Sequence, residues 1–212
     1  MTAVTIDEIL IADEPDRWAA LGFTVEGECC RVGAVCLRFT GTELATGIVG
    51  WSLRGATGTA LDGLATMLSE RPAPAPAPAH PNGVVAIDHV VAMSPDLDRS
   101  VRALEAAGLD LRRIRDEPTA AGAPRQAFFR LGEEILEVVQ EPEEVIERAD
   151  GPARLWGLAL RTVDLERTVE LLGERVGTVR AAVQPGRRIA TLRRSAGLSV
   201  PVALMSDRAP RG

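Results

Sequence analysis

Two ionisable residues stand in the middle of apolar runs. His89 lies in GVVAIDHVVAM (83–93) and Glu137 in EEILEVVQ (133–140). Burying either group without a partner costs several kcal/mol, so each needs a hydrogen-bond partner, a counter-charge or a metal. Alternation along an extended chain puts Val85, Ile87, His89 and Val91 on one face, and Ile135, Glu137 and Val139 on one face of theirs. The opposite positions, among them Val84, Val90, Leu136 and Val138, are apolar and suit contact with helices. Two readings follow for His89 and Glu137: a hydrogen-bonded structural pair, or the centre of a site.

The composition removes many chemistries. There is no lysine among the 24 basic residues and no tyrosine, so Schiff-base lysine, P-loop lysine and phenolic acid–base catalysis are all excluded. With two histidines, His80 and His89, any metal site must draw on carboxylates. A net charge of −6 and only seven aromatic residues argue against a nucleic-acid surface. No apolar run is long enough to span a membrane, and the acidic MTAVTIDEILIADE start does not read as a secretory signal. Cys29, Cys30 and Cys36 lack zinc-site spacing and are expected as reduced thiols of a cytoplasmic protein. His80, in a proline-flanked loop, is expected to be exposed.

The elements that must position these residues repeat. PDLDRSVRAL (95–104) matches VDLERTVELL (163–172), with Leu97, Val101 and Leu104 answered by Leu165, Val169 and Leu172 on one helical face. Asp96 and Asp164 suit N-caps. RQAFFR (125–130) matches RIATLR (188–193), and TIDEILIA (5–12) matches AIDHVVAM (86–93). VCLRF (35–39) is set against AFFRL (127–131). Asp7 and Asp88 recur at one position, where each is expected to hold a turn or an arginine. Each copy reads strand, helix, strand, strand, strand. The expected organisation is an N-terminal module 3–54, a linker 55–83, a central module 84–140 and a C-terminal module 153–206. In the linker, RPAPAPAPA favours an extended polyproline spacer. Trp51 and Trp156 are expected to pack on helices, and EPEEVIERADGP to be a solvated connector.

A βαβββ unit with His in its first strand and Glu in its last resembles the vicinal oxygen chelate superfamily, which includes glyoxalase I, bleomycin-resistance proteins and extradiol dioxygenases. The resemblance is carried by IDHVVAMSPDLDRSV and FFRLGEEILEVV, with LALRTVDLERTVELL as a second copy. It implies an α+β fold of repeated βαβββ modules forming cupped mixed sheets. It also implies a divalent metal (Mn, Fe, Ni, Zn or Mg) held by first- and last-strand residues. Transferred to this chain, the ligand positions are His89 and Glu137 in the central module, Glu8 and about Gly50 in the N-terminal one, and Gly157 and about Val200 in the C-terminal one. If modules one and two pair, His89, Glu137 and Glu8 form the site, with Glu137 or Glu8 moving protons. If two and three pair, only His89 and Glu137 remain.

The implied function is a metal-dependent isomerase or lyase acting on a small molecule with vicinal oxygens. Oxygen insertion is disfavoured because a two-histidine ligand set is missing. The alternative is a non-catalytic small-molecule binder of the bleomycin-resistance type. A third, unpaired module implies a homodimer.

Overall fold

The computed structural model describes residues 3–43, 45–118, 122, 124–146 and 150–207. Asp96 caps one helix by accepting a hydrogen bond from the Arg99 backbone N–H at 2.9 Å, and Asp164 caps another through Arg167 at 3.0 Å. These repeated caps fix where two matching helices start. The first part of the chain forms β1 (Thr5–Ile11), α1 (Pro15–Ala19, with proline in its first turn), β2 (Cys29–Val32), β3 (Val35–Phe39), β4 (Ile48–Arg54) and β5 (Thr66–Ser69). Next come β6 (Val84–Ser94), α2 (Leu97–Ala106), β7 (Asp110–Arg115), β8 (Gln126–Leu131) and β9 (Glu134–Gln140). The last set is β10 (Arg154–Thr162), α3 (Leu165–Leu172), β11 (Arg180–Ala181), β12 (Arg188–Thr191) and β13 (Val202–Ser206).

The strands make a five-stranded sheet, β2-β3-β1-β4-β5, and an eight-stranded sheet, β11-β12-β13-β10-β6-β9-β8-β7. The architecture is therefore α+β with mixed sheets, as the residue pattern implies. In the larger sheet β6 neighbours β10, so the central and C-terminal modules share one sheet. The first and last strands of each are parallel, β6 with β9 and β10 with β13.

The smaller sheet repeats the five central strands of the larger one. β2-β3-β1-β4-β5 has the order of β8-β9-β6-β10-β13, and β4 is parallel to β5 as β10 is to β13. The Thr40 N–H donates to the Ile11 carbonyl, which joins the C-terminal ends of β1 and β3. The Ala12 N–H donates to Gly47, which joins the end of β1 to the start of β4. Thus β3, not β4, is to β1 what β9 is to β6. This revises the matching of VCLRF to AFFRL and the choice of Gly50 as the last-strand position. The stretch expected as linker contains β5, which follows β4 beside β1 in the smaller sheet.

By contact density the described chain divides into two interleaved units. One holds the residues up to Ile9, Val49–Pro72 and His89–Trp156; the other holds Leu10–Ile48, Ala73–Asp88 and the residues from Gly157 onward. In the first, α2 buries Leu97, Val101 and Leu104 against the apolar face of β7, β8 and β9, where Phe129, Leu136 and Val138 are fully buried. Asp62 ties the loop after β4 to this helix, accepting from Arg99 Nε at 2.6 Å and from the Ser100 hydroxyl. Trp51 is fully buried and donates its indole N–H to Thr66 Oγ1 at 2.7 Å.

In the second unit, Trp18, Phe23 and Phe39 form an aromatic cluster, and Trp18 donates to buried Asp13 at 3.0 Å. The proline–alanine segment is not a free spacer there. Ala77 N–H donates to Gly33 at 2.8 Å, and Arg31 reaches the Ala75 carbonyl. His80 is buried, contrary to expectation. Its Nδ1 accepts from Thr24 N–H at 3.0 Å, and its Nε2 lies 3.8 Å from Cys30 Sγ. Cys29 and Cys36 also differ from the expected reduced thiols. They sit diagonally across the β2–β3 hairpin, Cα atoms 5.8 Å apart, and form a disulfide. Cys30 points into the core as a free thiol, and burial pushes its pKa up to about 12.

Candidate functional site

β6 and β9 run parallel with Val91 opposite Glu137 and His89 opposite Ile135. β8 runs antiparallel to β9 with Phe128 opposite Glu137 and Gln126 opposite Val139. Residues directly opposite share a face. His89, Val91, Ile135, Glu137, Gln126 and Phe128 therefore lie together on the face turned away from α2.

On that face His89 Nε2 stands 3.5 Å from Glu137 Oε2, with the two side chains 14 % and 16 % exposed. Gln126, itself buried, donates its amide to the other carboxylate oxygen, Glu137 Oε1. The sequence reading did not single out Gln126. The signal was available, since residues at the start of β8 and the end of β9 must come opposite in a tight hairpin. The amide donor on one oxygen fixes the carboxylate plane, so Oε2 is presented toward the imidazole.

Glu8, the third residue the resemblance offered, is buried and held in a charge pair. Its Oε2 pairs with Arg71 Nη2 at 2.8 Å, and the same nitrogen is 2.8 Å from Asp7. Asp7 also accepts from Arg54 and from the Ser69 hydroxyl, the latter at 2.6 Å. Asp88 pairs with Arg187 at 2.7 Å, with Arg187 almost wholly buried and held also by the Ser206 carbonyl. The two recurring aspartates each hold an arginine, as their positions suggested. In the C-terminal module, β10–β13 pairing sets Ala159 opposite Ala203, the register of Val91 and Glu137. The ligand-equivalent positions are thus Gly157 and Ala203, rather than Val200, and neither can coordinate.

Among the described residues no group of three or more His, Cys, Asp or Glu side chains is arranged to hold a metal ion. The pair itself has a suitable spacing. Two donors about 2.1 Å from one ion in tetrahedral geometry sit about 3.4 Å apart. The observed 3.5 Å matches that separation and is longer than a good hydrogen bond. One imidazole and one carboxylate thus fit a divalent ion whose remaining positions fall to water or ligand oxygens. No described helix is long and apolar enough to cross a membrane.

No family model matches the sequence, and no curated protein matches it. Solved structures do. A mutant of 4-hydroxymandelate synthase from Streptomyces coelicolor aligns over 100% of this chain and 94% of its own, at 16% identity and a TM-score of 0.66. A xylose isomerase-like TIM barrel/4-hydroxyphenylpyruvate dioxygenase fusion protein aligns over 100% of this chain and 50% of its own, at 12% identity and a TM-score of 0.65. Methylmalonyl-CoA epimerase from Mycobacterium tuberculosis aligns over 60% of this chain and 91% of its own, at 21% identity and a TM-score of 0.48. With parallel first and last strands in its modules and β6 beside β10, the chain has the vicinal oxygen chelate, or glyoxalase-like, fold.

Proposed function

We propose that the chain is a glyoxalase-like enzyme acting on a small molecule with vicinal oxygens, with His89 and Glu137 as its working pair. The carrying observation is the 3.5 Å approach of an imidazole and a carboxylate on the face of β6, β9 and β8 turned away from α2. His89 and Glu137 would hold a divalent ion at this place. When bound, such an ion supplies Lewis-acid polarisation of the molecule's vicinal oxygens. The protein's own contribution is placement and proton transfer. Gln126 orients Glu137, and Glu137 would take a proton from one carbon of the bound molecule and return it at the neighbouring one. That is isomerase chemistry; a lyase would instead expel a group from the carbon next to the one deprotonated. Glu8, engaged by Arg71, is assigned to the charge network of β1 rather than to the ion.

The test is metal content in protein purified without a histidine tag. Near-stoichiometric Mn, Fe, Ni, Zn or Mg in the unmodified chain, lost in His89→Ala and in Glu137→Ala, is the expected result. A metal-free chain that still binds a small molecule selects the second reading, a sequestering protein of the bleomycin-resistance type. One observation favours that reading: the Gly157 and Ala203 positions bring no ligand from β10 and β13.

A further inference from the structure

β7 is the edge strand beside β8, and its sequence DLRRIR carries three arginines. They do not share one fate. β7 pairs antiparallel to β8 with Leu111 opposite Phe129, Arg113 opposite Phe128, Ile114 opposite Ala127 and Arg115 opposite Gln126. Phe129 and Ala127 are fully buried toward α2, so Leu111 and Ile114 belong to that side. Arg113 and Arg115 share the other face with Phe128, Gln126 and Glu137.

Arg115 differs from its neighbours in its degree of enclosure. Its side chain is 25% exposed, against 59% for Arg112. Its Nε is buried and has no hydrogen-bond partner among the described residues. The carboxylate of Glu117, 83% exposed, stands 3.9 Å away, beyond hydrogen-bond reach. A buried guanidinium N–H left unmade is costly, and such a group either finds water or awaits an acceptor. Its direct cross-strand neighbour, Gln126, is the residue that donates to Glu137.

We propose that Arg115 is the anchor for a carboxylate of the molecule bound at the His89–Glu137 pair. The inference rests on the preceding section for the location of the reacting end, and it adds the substrate class: a small carboxylic acid. The planar guanidinium offers Nε and Nη in a fork that matches two carboxylate oxygens. β7 and β9 are separated by β8, a span of roughly 10 Å between backbones. The carboxylate and the reacting oxygens of the ligand therefore lie several bonds apart, which excludes a molecule whose only oxygens are those of a single acid group.

The test is calorimetric titration of the full chain as purified, with malonate, succinate and glutarate, and with their uncharged diamides. Saturable binding of at least one diacid and none of the diamides is expected. Arg115→Gln weakens that binding about tenfold or more, the loss of a charge-assisted bidentate contact. Arg115→Lys retains part of it, and Arg112→Gln binds like the unmodified chain. The proposal is overturned if Arg115→Gln, folded by circular dichroism, binds the diacid as tightly as the unmodified chain. It is also overturned if the diamides bind equally well, or if no diacid binds. Metal content, measured on the same protein, decides the metal reading separately, so either can fail alone.

Discussion

β1 and β6 carry the same pattern, an aspartate followed by a second ionisable residue, and treat it in different ways. In β1, Asp7 holds Arg54, Arg71 and Ser69, and Glu8 shares Arg71. In β6, Asp88 holds Arg187, while His89 faces Glu137, whose other oxygen is engaged by the neutral amide of Gln126. The first aspartate position does the same structural work in both strands. The second is neutralised by a cation in β1, whereas in β6 it meets a carboxylate. A carboxylate already neutralised by guanidinium is a poor ligand and a poor base. An imidazole beside an oriented carboxylate keeps both roles.

The largest expected effect comes from the shared aspartates. Asp88→Ala strands the buried charge of Arg187 and is expected to lower unfolding free energy by about 3–5 kcal/mol in denaturant titration. Asp7→Ala, with Arg71 able to turn to solvent, should cost less. Near-zero cost at both positions would break the idea that these aspartates are charge anchors.

The next effect separates the two histidines. Desolvation lowers the pKa of His80, partly opposed by a hydrogen bond to the Arg31 backbone, and Nδ1 already accepts from Thr24. The folded pKa lies below the unfolded value of about 6.5, so the unfolded chain binds the proton more readily. Stability should therefore be constant above roughly pH 6.5 and fall as pH drops from there toward the folded pKa. His80→Asn should flatten that slope; an unchanged slope would move the titrating group elsewhere.

The smallest effect sharpens the contrast between strands. Glu8→Gln loses a pair whose arginine is 57% exposed, so about 1 kcal/mol or less is expected. Metal uptake should be unaltered. Loss of metal in Glu8→Gln would return Glu8 to the site and erase the distinction.

The helices, their aspartate caps and the arginine-holding aspartates were legible because each depends on local spacing. So were the in-strand faces of His89 and of Glu137, which need only alternation; that the two faces coincide follows from the β6–β9 pairing. The place of β4 was not. Whether a strand sits beside β1 as its last strand or as the opening of a further pair depends on partners far along the chain. The short β5, TMLS, has no alternation to announce it. His80 was misjudged because proline flanks suggest exposure, while its burial comes from Thr24, Phe23 and Cys30, more than 45 residues earlier. Trp156 was expected on a helix and is 44% exposed, whereas Trp51 is fully buried. The connector between β9 and β10 lies partly outside the described residues, at 147–149.

The pairing of β7 with β8 slips between Leu111 and Arg113. DLRRIR spaces its aliphatic residues three apart, so no regular strand can bury both. The slip changes parity: Arg112 is accommodated as the extra residue, and Leu111 and Ile114 both turn inward. Without it, Arg113 would be driven against α2 and Ile114 would occupy the position of Arg115. One inserted or deleted residue at an edge thus exchanges a cation for an aliphatic group at the rim, leaving the central strands untouched. Selectivity at this rim can drift by changes of length rather than of residue type.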